Sequence, residues 1–390
     1  GRCGYAYGTE LGAGGLRELG SAAAEAARIS DSDEFAGPPE PAGPPGDAGE
    51  LRDPAFAGMG TAAKVELALE IEKAALAQDR VRVVEQAVYA DSHGRVALRS
   101  SRIAGGEYEA TSSYAYAQAL AGDQAEQQAG LGFGVGRAPA ALDPAAIGEE
   151  AGERAAGQLG AVKPESRSCP VVLDPTVAAS FISFIGGVAG ADAVQRGRSP
   201  LAGRIGEVIA APVLELVDDG LDPEGFGSSP FDDEGVPRRR TALISGGVLR
   251  GYLHDAYTAR RGDAEPTGNA SRSGYRSAPG VGASNLVVGP GADDLPALLR
   301  RAGEGVYISE VAGLHSGVNP VSGDFSVGAT GRAISGGELG EPLREFTIAS
   351  DLLSMLATVE APGAESRWVP FGGSVKTPAL LIAEMAISGA

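Results

Sequence analysis

Two of the four Asp-Pro steps, Asp143-Pro144 before an apolar four-residue repeat and Asp174-Pro175 before an apolar run, constrain the fold of this chain more than any other feature. An aspartate carboxylate can accept from the free N–H groups of a helix start. Proline suits the first helical position, where its missing N–H has no partner to lose. Each step is therefore predicted to open a helix. After the first, Ile147, Ala151, Ala155 and Leu159 recur every four residues up to Gly160, the apolar stripe of one helix. The second follows the apolar run Val171-Val172-Leu173, so a strand feeds straight into an apolar helix over Val177–Val188.

Upstream of these steps the pattern is mixed. Gly1–Tyr7 reads as a strand, and Leu16, Leu19, Ala23 and Ala26 keep helical spacing to about Ile29. Residues 36–48 are rich in Pro and Gly and mark a linker or long loop. Thr61 is placed to cap a helix running to about Asp79. Val81–Tyr89 then reads as a strand, Asp91-Ser92-His93-Gly94 as a turn, Arg95–Arg99 as the return strand and Tyr108–Leu120 as a third strand. Downstream the chain turns strongly to β-structure. Ser-Gly-Gly at 245–247 and again at 335–337 signals two hairpins, Val281–Val288 and Gly305–Val311 add strands, and Ser350 is placed to cap a helix through Val359. The expected fold class is α+β, an N-terminal mixed α/β domain followed by a larger sheet-rich C-terminal domain. The expected divisions are 1–49 (the remnant of a first domain plus the Pro-rich linker), 50–162 and 163–390. Opening on Gly-Arg-Cys-Gly without Met, the sequence reads as starting inside that first domain.

Bulk properties exclude several functions. A formal net charge of −19 argues against a nucleic-acid surface, which needs a basic patch to neutralise phosphates. The one dense basic cluster, Arg238-Arg239-Arg240, follows Asp232-Asp233-Glu234 and reads as a solvated turn. No apolar run reaches the ~18–20 residues of a membrane span. Two cysteines, Cys3 and Cys169, are too few for a disulfide framework, so a cytoplasmic location is expected.

Residues 310–328 concentrate the chemistry. A short apolar run, Val306-Tyr307-Ile308, leads into a polar segment punctuated by Gly317, Asn319-Pro320 and Gly323, and carrying His315 and an exposed-looking Asp324-Phe325-Ser326. Other chemistry is thinner. The three histidines, His93, His254 and His315, show no ligand spacing. A metal site from His254, His315 and a carboxylate, or a Ser316/His254/Asp324 triad, lacks the sequence context such sites have. Gly132–Gly136 is glycine-rich but alternates without opening a helix, which suits an edge strand better than a phosphate cradle. Tyr257, Asn269, Ser271 and Tyr275 form a second loop-rich segment.

Gly313-Leu314-His315-Ser316-Gly317-Val318-Asn319-Pro320-Val321-Ser322-Gly323-Asp324-Phe325-Ser326 resembles the C-terminal signature of the TldD/PmbA family, and is closest to its PmbA (TldE) branch. The active, TldD-like branch carries His-Glu-x-x-x-His on a helix at the start of this domain. The corresponding helix here, Ala178–Gly190, has no His, Glu or Cys. A Cys-Gly step near the C-terminus of that branch is likewise absent from Val369–Val375. The resemblance implies the non-catalytic half of a metallopeptidase acting on unfolded or modified peptides. It implies no catalytic or metal-binding residue in this chain, and zinc or a similar divalent metal in a TldD-like partner. The assembly would be a heterodimer, with a homodimer as the other possibility. His315, Ser316, Asn319, Asp324, Phe325 and Ser326 would line the substrate cavity or face the partner. A self-sufficient hydrolase with an unrecognised metal site, and a regulatory peptide-binding protein without proteolysis, stay open.

Overall fold

The computed structural model describes residues 1–40, 43–56 and 59–389. Near the N-terminus lie α1 (Ala13–Ile29) and α2 (Thr61–Leu76). A three-stranded antiparallel sheet follows, β1 (Val81–Leu98), β2 (Gly106–Gly122) and β3 (Gln127–Gly136), and then α3 (Pro144–Ala156). Helices α2 and α3 cover one face of this sheet. Along β2 the inward positions are Ala115, Ala117, Ala119 and Ala121, each essentially inaccessible. On β3 they are Gly130, Gly132 and Gly134. A Cβ on Gly132 would stand 2.0 Å from the Ile147 carbonyl oxygen, so these glycines exist to let α3 lie against the strand backbone. The alternating Gly-Phe-Gly-Val-Gly run is thus an edge strand, and its glycines serve packing.

Two expectations for this half are corrected. Asp91–Gly94 does not turn. β1 continues through it for 18 residues, pairing Asp91 with Ser113 and Gly94 with Ala110. A partner strand of matching length overrides the local turn preference, helped by a 2.8 Å Ser92–Ser112 hydroxyl contact and a 3.1 Å His93–Glu109 contact. Among the described residues Gly1–Tyr7 pairs with no strand. The Tyr5 hydroxyl instead donates to the Tyr275 carbonyl, and the segment after α1 lies on the C-terminal domain: Tyr257 donates to Asp33 at 2.9 Å, and Arg260 donates to the carbonyls of Phe35 and Gly37, both at 2.7 Å, and of Pro38 at 3.1 Å. The described part of the Pro-rich segment is therefore strapped down. Positions 41 and 42 of that segment lie outside the described residues.

The larger domain runs β4 (Arg167–Leu173), α4 (Pro175–Val188), α5 (Ala191–Gln195), β5 (Leu216–Asp219), β6 (Arg240–Ser245), β7 (Val248–Leu249), α6 (Ala256–Arg261), β8 (Ala270–Ser271), β9 (Gly280–Val281), β10 (Leu286–Val288) and α7 (Leu295–Ala302). It continues with β11 (Gly305–Ala312), α8 (Leu314–Gly317), β12 (Asp324–Ser335), β13 (Glu338–Asp351), α9 (Leu352–Ala357), β14 (Val359–Val369) and β15 (Val375–Ser388). The main sheet has strand order β13-β12-β11-β4-β15-β10-β5-β6-β7, and β14 also pairs with β15. β13 returns to β15, so β4, β11, β12, β13 and β15 close on themselves. The apolar side of α4 (Val177, Ala178, Phe181, Ile182, Ile185) fills the core.

Asp143 and Asp174 both cap their helices, accepting from Ala146 and Thr176 N–H groups at 3.1 and 2.8 Å. Both Ser-Gly-Gly segments make two-residue hairpin turns with positive φ at each glycine, 58° and 74°, then 59° and 80°. Other caps shift by one residue: Gly60 precedes α2 without a side-chain bond, and Asp351, not Ser350, caps α9. Arg238 is no solvated turn. It is half-buried, donating to Ser229 at 2.8 Å and to the Gly268 carbonyl at 2.9 Å.

Candidate functional site

A cleft of about 670 Å³ separates the two domains. Gln118, Leu131 and Phe133 of the small sheet and Glu150, Glu153, Arg154 and Gln158 of α3 and its end form one wall. Thr176 at the start of α4, Tyr307 to Val311 of β11 (without Ile308), and Thr330 and Arg332 of β12 form the other. A second recess of about 470 Å³ shares Phe133 and Glu150 and adds Arg367 and Trp368.

Half-buried charges gathered around Glu150 and the buried Asp174 hold the walls together. Arg154 donates to Asp174 at 2.9 Å, to Glu150 at 3.1 Å and to the Ser309 carbonyl at 3.4 Å. Asp174 also accepts from the Tyr307 hydroxyl at 2.6 Å while it caps α4. Arg367 pairs with Glu150 at 2.7 Å and stacks 4.0 Å above the Phe133 ring. Burial opposes the Arg154 charge, but Asp174 and Glu150 outweigh it and raise its pKa above the usual guanidinium value. Burial and then the Asp174 carboxylate push the Tyr307 hydroxyl far above the ordinary phenol range, so it stays a proton donor. None of these residues was singled out for the site from sequence alone, where Asp174 stood out only as a cap. The four-residue spacing of Glu150 and Arg154 was the available signal, because it places an ion pair on one face of α3.

Helix α4, whose first turn reaches the cleft at Thr176, bears on metal binding. Zinc takes His, Cys or carboxylate ligands. The half-open face of α4 presents Thr176, Ser180, Ser183 and Phe184, whose hydroxyls and ring are not such ligands. Ser180 donates to the Thr176 carbonyl at 3.1 Å. None of the three histidines in these 390 residues precedes a glutamate. Among the described residues no three His, Cys, Asp or Glu side chains gather into a metal-sized cluster. His254 is buried with Nδ1 unpartnered, and burial holds its pKa below the usual imidazole value, whereas His315 is exposed. The residues of α4 therefore offer a divalent metal no His, Cys or carboxylate ligand.

The glycine-punctuated segment caps the β11–β12 hairpin, whose shafts line the cleft. His315 and Ser316 are exposed on α8, and the Ser316 hydroxyl donates to the Gly313 carbonyl at 3.3 Å. Asn319 accepts from Val321 N–H at 2.9 Å, its own N–H reaches the Asp324 carbonyl at 2.8 Å, and Ser322 donates to the Asp324 carboxylate at 2.6 Å. Asn319, Asp324 and Ser326 face solvent. Phe325 does not: it is 3% exposed, its ring 4.8 Å from that of Phe181 on α4. The structure therefore brings Asn319 and Asp324 together in one turn and sends Phe325 into the core. In the second loop-rich segment Asn269 is likewise internal, donating to the buried Asp218 at 2.6 Å.

Fold and site together define a class: a small layered α/β domain set against a closed, sheet-rich domain, with a charged cleft between them and a strand-to-helix step at its floor. Residues 54–159 match the PmbA/TldA metallopeptidase central domain and residues 166–389 the C-terminal domain, and the chain belongs to this family. It is 26% identical to Metalloprotease PmbA homolog of Haemophilus influenzae, over 99% of this chain and 83% of that one. Identity to Metalloprotease PmbA of Escherichia coli O157:H7 is also 26%, over 100% and 83%. The solved structure of TldE from Thermococcus kodakarensis superposes with a TM-score of 0.87 at 25% identity, covering 96% of this chain and 85% of that one. Among the described residues no helix is long and apolar enough to cross a membrane.

Proposed function

We propose that this chain is the non-catalytic, PmbA/TldE-type subunit of a cytoplasmic two-subunit metallopeptidase that degrades unfolded or modified peptides. A TldD-like partner supplies the divalent metal, zinc or a similar ion. This chain supplies part of the wall of the substrate cavity, with His315, Ser316, Asn319, Asp324 and Ser326 on the exposed rim and Phe325 anchoring that rim to α4. The observation that carries the proposal is the composition of α4, where a peptidase of this family would need ligands and this chain has the half-buried Thr176, Ser180 and Ser183. A subunit without a metal can still position a substrate, and exposed polar groups on a rigid turn suit that role.

The test is metal analysis and peptide cleavage on the chain alone and on the chain co-expressed with a TldD-type protein. Metal and cleavage are expected in the pair only. Stoichiometric zinc with cleavage by the isolated chain would overturn the proposal in favour of a self-sufficient hydrolase. A stable pair that binds peptide and never cleaves it would favour a regulatory role.

A further inference from the structure

Helix α6 is engaged on both sides. Outward it grips the segment after α1. The Tyr257 hydroxyl donates to Asp33 at 2.9 Å, and its ring meets that of Phe35 edge-on at 6.3 Å. Arg260 gives its guanidinium to three carbonyls of the same segment, Nε to Phe35, Nη2 to Gly37 and Nη1 to Pro38. Inward, the start of α6 faces three carboxylates. Asp255 caps it, accepting from the Thr258 N–H at 2.8 Å and the Thr258 hydroxyl at 2.7 Å. Glu234 accepts from the Ala256 N–H at 2.8 Å. Asp232, only 1% exposed, accepts from the N–H groups of Glu234, Val236 and Ala270, each at 2.9 Å. Asp255 and Asp232 repel a charge on Glu234, and Arg260 attracts it. The neighbouring Asp233 accepts from the Arg272 N–H at 2.6 Å, and burial holds the His254 imidazole below its usual pKa.

Ala256 and Arg260 stand one turn apart, so the N–H that reaches Glu234 and the arginine that holds the segment lie along one face of α6. A neutral Glu234 leaves Arg260 to the segment carbonyls. An ionised Glu234 draws Arg260 back and repels Asp255, which loosens the turn that carries Tyr257. Both effects weaken the same grip. We infer that protonation of Glu234 sets the hold of α6 on residues 33–38, a pH-sensitive strap that is tight when the carboxyl is neutral and loose when it ionises. Burial, and then Asp255 and Asp232, push this carboxyl up to about 7, so the strap responds near neutrality. The tight state keeps a proton that the loose state gives up. Rising pH therefore favours release, about tenfold for each unit by which release lowers the Glu234 pKa.

A nitroxide on the strap tests this. Glu34→Cys puts a thiol at an exposed strap position, Cys3→Ser removes the other exposed thiol, and Cys169 is buried. In the full chain the label is expected to be immobilised at about pH 5.5, and the ratio of mobile to immobile label to rise about tenfold or more by about pH 8.5. Circular dichroism should stay constant over that range. Glu234→Gln should keep the label immobile at both pH values, and Arg260→Gln should leave it mobile at both. A parent spectrum that ignores pH, a transition that survives Glu234→Gln, or a label still immobile in Arg260→Gln would each overturn the inference. So would circular dichroism that changes in step with the label, since the chain would then be unfolding as a whole.

Discussion

Replacing Asp174 is expected to cost more than its size suggests, because one carboxylate serves three partners from a position only 3% exposed. Asp174→Ala removes the cap on α4, worth about 1 kcal/mol. It leaves the buried Tyr307 hydroxyl without its acceptor, about 1–3 kcal/mol. It also strips Arg154, half-buried, of its closest counter-charge, and breaking one partner out of a buried pair costs about 3–5 kcal/mol in all. These contributions overlap, so about 3–5 kcal/mol is the expected total. Asp174→Asn separates them: asparagine caps nearly as well as aspartate, so this variant should recover about 1 kcal/mol of the loss. Urea unfolding followed at Trp368, which lines the recess beside Glu150, measures both. A loss under about 1 kcal/mol for Asp174→Ala would refute the reasoning, since it would mean that neither the cap nor the clamp contributes to the native state.

Glu234 gives a pH-dependent prediction. Burial, with repulsion from Asp255 and Asp232, pushes its carboxyl up to about 7 against a hydrogen bond from Ala256 N–H. A carboxyl raised in the folded state favours folding below its unfolded pKa and loses that contribution as pH climbs towards 7. Parent protein should therefore lose up to about 3 kcal/mol between pH 4.5 and 8 that Glu234→Gln does not lose, and matching urea midpoints at both pH values in the two proteins would sink the assignment. Gly132→Ala places a Cβ 2.0 Å from the Ile147 carbonyl and should destabilise by about 1–3 kcal/mol or more, read as a lowered thermal midpoint. Phe325→Ala should cost about 3–5 kcal/mol by emptying the contact with Phe181. Asp324→Asn, at an exposed position, should change stability by under about 0.5 kcal/mol while lowering cleavage by the paired subunits. A drop in cleavage only when the subunits separate would instead assign Asp324 to the interface.

Local chemistry made much of this fold legible from sequence. The Asp-Pro helix starts, the four-residue stripe of α3 and both Ser-Gly-Gly hairpins rest on interactions within a few residues, and all formed, although α3 ends at Ala156 and leaves Leu159 in the turn beyond it. Failures came where a distant partner decided. Asp91–Gly94 has turn chemistry, yet β2 supplies pairing along its whole length. Phe325 sits between polar neighbours, yet strand alternation aims it at Phe181 on a helix more than a hundred residues earlier. Arg238 sits among charged neighbours, yet it is held by Ser229 and Gly268. The cleft escaped for the same reason. Arg154, Tyr307 and Arg332 come from three elements, each of which alone reads as an ordinary helix or strand.

The position of β15 has a consequence for how the protein is made. This strand pairs with β4, β10, β13 and β14, and joins Leu380 to Leu173, about 200 residues earlier. During synthesis the opening strand of the larger domain leaves the ribosome long before the strand it needs. The central domain, whose sheet and helices are contiguous, can fold as it emerges. The larger domain must wait with β4 and the apolar face of α4 uncovered until β15 has been made. A stalled or prematurely terminated chain would expose that surface, so nascent-chain protection by chaperones should concentrate on residues 167–188 and should end only when β15 is released.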